Sequence, residues 1–351
     1  MKTAWHGFAA LIFCIACVAQ DVHVRVSPDV KTGIEGTTEF PTIQNALDHH
    51  LFAGPAPGRD GKSSRVYIEI AAGTYHERVI VTQNHQNITF VGMGRTPAET
   101  VITNSLNAKA AGGTFFTETA EINGDGFEAD NITFENAAGN TGQAVAVAVR
   151  ADRAVFKHVR FLGHQDTLFA DYGRQYYVEC FITGGVDYIF GNATAIFDRS
   201  ELESNAPGFV TAQSRTSAEQ TTGYVILNPR VTISIDKTAG AMDSSAAGAS
   251  TASAHVIGLG RPWRPYSRVV YIGTSLPEDL SAAGWNNWGK TANEFTAYYA
   301  ELGSTGPGAN SERRVPWAHR LSTAEARAYL PANFLRGKDG WNAEAAAANL
   351  P

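Results

Sequence analysis

The sequence predicts an all-β protein wound as a parallel β-helix, and three observations carry that reading. Related segments recur about one coil apart. Gly163-His164-Gln165-Asp166-Thr167-Leu168-Phe169 and Gly185-Val186-Asp187-Tyr188-Ile189-Phe190-Gly191 each hold one aspartate followed by apolar residues, and 21 residues separate Asp166 from Asp187. A solenoid coil takes roughly 20–30 residues. Asn87-Ile88-Thr89-Phe90 recurs as Asn131-Ile132-Thr133-Phe134, a spacing of 44 that suits two coils of 22, and Phe161, Ile182 and Leu202 follow at spacings of 21 and 20. No long helical pattern separates these short strands, which argues against a βαβ fold. A β-sandwich is the competing fold, because short strands at regular spacing suit it as well. Composition agrees with a β protein. With 34 glycines and only 18% charged residues in 351, the chain reads as turn-rich rather than as a helical bundle or a disordered segment. No basic run or basic–aromatic patch is present, so nucleic acid is not an expected partner.

Taken in order, Met1 to Ala19 reads as an export signal. Lys2 supplies a positive start, Phe8 to Val18 is apolar, and Cys17-Val18-Ala19 resembles a cleavage site. The run is too short to span a bilayer well and no other long apolar stretch exists, so no transmembrane segment is expected. The mature protein is expected to be secreted (extracellular, or in the periplasm or on the outer surface of a bacterium), with residues 20–351 as a single domain. Cys14 and Cys17 fall inside the signal. Cys180 then remains alone in the strand-like run Tyr176–Ile182, without a disulfide partner and as a buried structural thiol.

Phe40 to Asp48 reads as a short helix, with Thr42 as N-cap and Ile43, Ala46 and Leu47 on one face. Such a helix would cover the open end of a solenoid, which otherwise exposes its core and strand edges. Alternation in Val155–Phe161 places one face inside. Thr238 to Ala254, rich in Ala, Ser and Gly, reads as a long mobile loop inserted between coils. Leu321 to Leu330 reads as a terminal helix, with Ser322 as cap and Glu325 completing a capping box.

The chemistry gathers around the two aspartates. One coil apart, Asp166 and Asp187 would sit on stacked strands, about 4.8 Å apart in backbone. Carboxylates that close cannot both ionise freely, so their pKa values split, and such a pair supplies one acid and one base or nucleophile at the same pH. The plainer alternative is two surface aspartates in turns. Gln143 precedes Gln165 by 22 residues, so two amides on adjacent coils could donate to one oxyanion. Leu259-Gly260-Arg261-Pro262-Trp263 offers a cation that can hold an aspartate by a bidentate bond. A nearby Arg lowers an Asp pKa by about 1–3 units, which would keep Asp187 charged. Trp263 offers an indole suited to stacking on a sugar ring, and otherwise reads as a core residue in a turn. Because Gln165 and Asp166 are neighbours, the backbone must bend for both to act, and Gly163 permits such a bend.

Five segments together, Gly73-Thr74-Tyr75-His76-Glu77, Gln143 to Val147, Gln165 to Leu168, Asp187 to Gly191 and Leu259 to Trp263, resemble the signature segments of the pectin methylesterases, in that family's order. The resemblance covers roughly Phe40 to Trp341. It implies a single-stranded, right-handed parallel β-helix with a long cleft formed by loops on its side. It implies hydrolysis of methyl esters of polygalacturonate, releasing methanol. Asp187 matches the family's nucleophile and Asp166 its general acid and base. Gln143 and Gln165 match the oxyanion donors, and Arg261 the residue that orients the nucleophile. Trp263 matches a substrate-contacting aromatic, with Phe190 a lesser candidate. Activation of water by one Asp, without a covalent intermediate, is the competing mechanism.

Departures are small. Val147 and Tyr188 keep apolar character, Tyr188 adds a hydroxyl that needs a partner, and His164 reads as incidental. No metal constellation is evident and no cofactor is needed. The expected partner is methyl-esterified pectin, a monomer is the expected state, and a proteinaceous inhibitor is left open. Asn87, Asn131 and Asn192 begin Asn-x-Thr triplets, which are glycan acceptors only in a eukaryotic host. Asn192, beside the proposed site, reads instead as a turn or ladder residue. A net charge of −6 argues against tight binding of the anionic product, with Arg261, Arg264 and Arg268 as local compensation. A pectate lyase or polygalacturonase would need calcium ligands or glycoside-cleaving acids. A non-catalytic carbohydrate-binding solenoid would have no use for stacked Asp and Gln pairs.

Overall fold

Short strands form because the chain alternates apolar and turn residues every four to six positions, and each strand can satisfy its backbone only by pairing with the coil before and after it. A computed structural model describes residues 21–30, 38–49, 65–235 and 257–351. The proposed export signal with Cys14 and Cys17, and the loop expected at Thr238–Ala254, lie outside these residues. Three sheets of twelve, seven and seven strands result, every pairing between named strands being parallel. Each central coil lays one strand in each sheet, and the first and last coils add strands to the long sheet alone. In one coil, Ala154–Lys157 joins the long sheet, Arg160–Leu162 the second and Leu168–Tyr172 the third, before Arg174–Val178 returns to the long sheet. This is a parallel β-helix.

Inside, side chains of equivalent positions stack. Phe156, Tyr177 and Phe197 on consecutive long-sheet strands lie face to face at 4.9 and 4.6 Å, each such pair adding about 0.5–1.5 kcal/mol beyond area burial. The Tyr177 hydroxyl donates to Gln175, whose amide donates to the carbonyls of Val149 and Tyr172, so this buried polar group is fully used.

The corner between the long and second sheets is turned by one residue in left-handed conformation. Asn131, His158, Glu179, Arg199 and Asn228 have φ of 55°, 52°, 55°, 47° and 48°. These corners correct two sequence expectations. Val155–Phe161 and Tyr176–Ile182 are each two strands broken at His158 and Glu179 rather than single alternating strands. Val155 and Phe156 are both fully buried, one under the C-terminal segment and one in the core. Cys180 follows such a corner, buried and free, with burial pushing its thiol up to about 12.

Coil length is also uneven. Phe161, Ile182 and Leu202 stack in the second sheet as their spacing predicts. The two Asn-Ile-Thr-Phe copies do not: Ile88–Gly92 belongs to the long sheet and Thr133–Asn136 to the second. Phe134 instead stacks between Ile102 and Phe161. Asn131 Nδ2 donates to the carbonyls of Gly92 and Gly94, and Asn192 Oδ1 accepts from Thr222 and Gln213, so both asparagines serve the coil ladder.

One helix packs at the N-terminal end, and others lie on the outer face of the long sheet. Ile43–Asp48 forms with Thr42 as N-cap and buries Ile43, Ala46 and Leu47. Its first two amides donate to Glu77, the last residue of the first signature segment, at 3.0 Å each. Ser322 and Glu325 make the expected capping box, but the helix is a single turn, Thr323–Ala326, and is not terminal. Ala343–Ala348 follows it. Leu335, Ala343, Ala347 and Leu350 cover the outer face of the long sheet at Val155, Tyr176, Ile196 and Val225. Arg174 ties that segment down through Asp152 and Asp339.

Glu77→Ala removes both acceptors from the start of the first helix. Unfolding by urea is expected to show a loss of about 1–3 kcal/mol, with activity per folded molecule unchanged.

Candidate active site

The corner between the second and third sheets is where the two aspartates stand. Asp166 and Asp187 each precede a third-sheet strand, with φ of 63° and 51°. They are therefore at stacked turns rather than on stacked strands. Asp166 N–H donates to Val186 O at 3.1 Å and Leu168 N–H to Tyr188 O at 2.8 Å, which fixes the two turns one above the other. A left-handed non-glycine residue costs about 1–2 kcal/mol. That strain supplies the required bend, and it supplies it at Asp166 itself. Gly163 contributes differently, since a Cβ there would meet Thr167 Oγ1 at 2.7 Å. Gln143 pairs with Gln165 one coil earlier, Gln165 and Asp166 sharing the middle coil, with Ala144 N–H donating to Gln165 O at 3.0 Å. Among the described residues, no group bonds to either glutamine amide or to the Asp166 carboxyl, so all three are available to a ligand.

Arg261 reaches Asp187 from the end of strand Ile257–Gly260. Its Nε donates to Oδ1 at 2.9 Å and its Nη2 to Oδ2 at 2.7 Å. Both residues are buried, at 9% and 6% exposure. The guanidinium lies 4.1 Å from the Trp288 ring centroid and 4.9 Å from that of Phe209. Neither aromatic was among the expected site residues. Trp285-x-x-Trp288 before Gly289 was the available signal for the first.

Phe190 and Trp263 are in contact at 5.9 Å between centroids. They extend an aromatic floor through Phe169 at 4.6 Å and Phe115 at 4.9 Å. Phe169 follows Asp166 by three residues as Phe190 follows Asp187, so the repeated Asp-x-x-Phe carried that signal. Tyr188 finds a partner in Ser204 at 3.4 Å. His164 is half-buried, with burial pulling its pKa down. Of the three compensating arginines, Arg261 is taken up by Asp187 and Arg268 is half-buried. Arg264 is exposed over Trp263.

Burial dominates the electrostatics. The Asp166 carboxyl is pushed well above the ordinary range, first by desolvation and then by the charge of Asp187, with Arg261 pulling against both. Asp187 is also pushed up by burial, and the Arg261 bond opposes this without overcoming it. The expectation that Arg261 would depress Asp187 is thus corrected, because a carboxylate this deep loses more hydration than one bidentate partner restores. The split survives: Asp187 has a cation and Asp166 has none, so Asp187 gives up its proton first.

An ionisable aspartate pair, two amides without a protein partner and a run of aromatics on a parallel β-helix suit acyl transfer on a carbohydrate. The chain belongs to the pectinesterase family, whose model matches residues 29–338. It is 37% identical over 323 residues to Pectinesterase 31 of Arabidopsis thaliana, covering 89% of this chain and 92% of that protein. Pectinesterase 1 of Citrus sinensis is 36% identical, and the chain spans 51% of its length. Among solved structures, pectin methylesterase from carrot superposes with a TM-score of 0.78 at 33% identity, over 93% of this chain and 96% of that one. The Aspergillus niger enzyme gives 0.69 at 30% identity, over 86% and 90%. Hydrolysis of pectin methyl esters is the activity of this family and of this chain.

A carboxyl with a raised folded-state pKa binds its proton more tightly folded than unfolded, so its burial costs stability as pH rises above the unfolded value of about 3.9. Asp166→Asn removes that cost. Thermal melts are expected to show equal Tm for variant and wild type near pH 3, and a Tm about 2 °C or more higher for the variant at pH 7.

Proposed function

We propose that Asp187 attacks the ester carbonyl carbon and forms a covalent acyl-enzyme, with Asp166 as the proton-transfer group. The observation that carries this reading is the bidentate Arg261–Asp187 bond one coil above a carboxyl that has no cation of its own. Arg261 fixes the plane of the Asp187 carboxylate. As the C–O bond forms, charge develops on the carbonyl oxygen, and the Gln143 and Gln165 amides donate to it. Collapse of the tetrahedral intermediate expels methoxide, which takes the Asp166 proton and leaves as methanol. Asp166, now ionised, removes a proton from water. The resulting hydroxide attacks the Asp187 carbonyl of this mixed anhydride, the galacturonate carboxylate departs, and Asp187 releases the proton it has gained to solvent, so both aspartates return to their starting states. Trp263 and Phe190 hold the sugar ring.

The surrounding biology follows from the same reading. Met1–Ala19 is removed on export, and residues 20–351 act as one secreted catalytic unit, as a monomer, on plant cell wall pectin. A proteinaceous inhibitor that covers the cleft is compatible with it.

Methanol release from highly methylated pectin, with chelator present and unsaturated ends followed in parallel, tests the proposal. Wild type is expected to release methanol without cutting the chain, Asp187→Asn to release none, and Gln165→Ala to lose about 10²–10³ in kcat. Labelled water oxygen appearing only in product during a single turnover, never in the enzyme, would support direct water attack instead.

The pH profile of kcat/KM is expected to be bell-shaped. Its acid limb reports ionisation of Asp187 and lies above the ordinary aspartate value of about 3.9. Its alkaline limb reports loss of the Asp166 proton. Arg261→Lys, which cannot make the bidentate bond, is expected to move the acid limb to higher pH.

A further inference from the structure

A second polar row crosses the outer face of the third sheet. Gln143, Asp166 and Asp187 stand before their strands, Glu121, Ala148, Phe169 and Phe190 share one register across the sheet, and Arg150 and Tyr172 pair beyond it. Strand Val147–Arg150 ends on Arg150, strand Leu168–Tyr172 on Asp171 and Tyr172, and strand Ala120–Ile122 carries Glu121. The Arg150 guanidinium lies 5.2 Å from the Phe169 centroid, at the edge of the floor. Pairing slips at this point, from Val149 opposite Ala170 to Arg150 opposite Tyr172, so Asp171 occupies a bulge. Bulges beside active sites re-aim side chains, and this one brings the Asp171 carboxylate to 3.7 Å from Arg150 Nε.

Arg150 is already crowded with anions. Glu121 is 3.0 Å away and Glu118 3.6 Å. Arg78 shares the same two glutamates at 3.4 Å each. Two guanidiniums therefore face three carboxylates. Glu118 is buried, while Arg150, Glu121 and Asp171 keep 27%, 23% and 32% side-chain exposure.

A (1→4)-linked galacturonate chain with a near two-fold screw points successive C6 groups to opposite edges. For a chain lying on the aromatic floor with one ester at the aspartates, that alternation would aim the C6 group of the adjoining sugar at the edge where Arg150 lies. A free carboxylate arriving there meets an excess of negative charge and must displace Glu121 or Asp171 to reach the cation. A methyl ester carries no charge, accepts one hydrogen bond from the guanidinium, and rests its methyl group on Phe169.

We propose that Glu121, Arg150 and Asp171 form a neighbour-reading subsite that admits a methyl-esterified galacturonate beside the reacting sugar and disfavours a free galacturonate. The proposal rests on the esterase reading above. Its consequence is a scattered product. Each hydrolysed residue becomes a poor neighbour, so the next attack falls elsewhere on the polymer.

The test compares kcat/KM, from methanol release, on a fully methylated oligogalacturonate and on one of equal length with half its esters removed at random, normalised per ester. Wild type is expected to prefer the full ester by about tenfold. Glu121→Gln and Asp171→Asn, separately, are expected to cut that preference at least threefold, through KM on the partly methylated substrate. The same preference in wild type is expected to fall as salt rises from about 0.02 to 0.5 M, since screening shortens the reach of the row; this arm needs no substitution. A wild-type preference below twofold, or one that neither variants nor salt alter, overturns the subsite while leaving the esterase intact. A wild type that releases no methanol from either substrate removes the esterase reading and the subsite with it.

Discussion

Parallel stacking in the third sheet is the constraint on which the site depends. Gln143 and Gln165 belong to adjacent coils, as do Asp166 and Asp187, and no local sequence brings them together. Backbone hydrogen bonds between coils set the separation, and the left-handed conformation of both aspartates sets their direction. The strain at two such positions is small against the ladder of bonds and stacked aromatics that holds the coils, which is why it persists. Placement of these four side chains is thus a property of the whole solenoid.

Charge is arranged around that frame by burial first and partners second. Asp187 is dry enough that even a bidentate guanidinium leaves its pKa raised, and the guanidinium in turn is stacked under Trp288 and over Phe209. The cation cannot turn away toward water, so Asp187 keeps its counter-ion in a fixed plane. Asp166 shares the desolvation without the bidentate partner and feels the charge of Asp187 in addition. Two carboxyls of the same type are given different surroundings by one side chain 74 residues beyond Asp187.

Much of this was legible in the sequence. The repeated aspartates, the glutamines one coil apart, the arginine, the first helix with its Thr42 cap and the Ser322 capping box follow from spacing and residue type. Other features were not. The Asn-Ile-Thr-Phe repeat fell in different sheets because the early coils are longer than those around Phe161, Ile182 and Leu202, and equal spacing identifies stacking only where coil length is constant. Apparent strands at Val155–Phe161 and Tyr176–Ile182 were two strands because His158 and Glu179 turn corners without glycine or proline to mark them. Phe209 and Trp288 reach Arg261 from coils whose return to the site no sequence period encodes. The pKa of Asp187 depended on depth, which neighbours in sequence do not reveal.

The C-terminal cover bears on how the chain is made. Leu335, Ala343, Ala347 and Leu350 emerge after every strand whose outer face they shield. During synthesis, Val155, Tyr176, Ile196 and Val225 stand as a flat apolar strip on a sheet already able to form, with water as its only neighbour until residues 331–350 arrive. Nascent chains with exposed sheet faces are those that associate wrongly or recruit chaperones. Stalling or clipping before that segment would leave the stacked aspartates in place on a particle with an adhesive back.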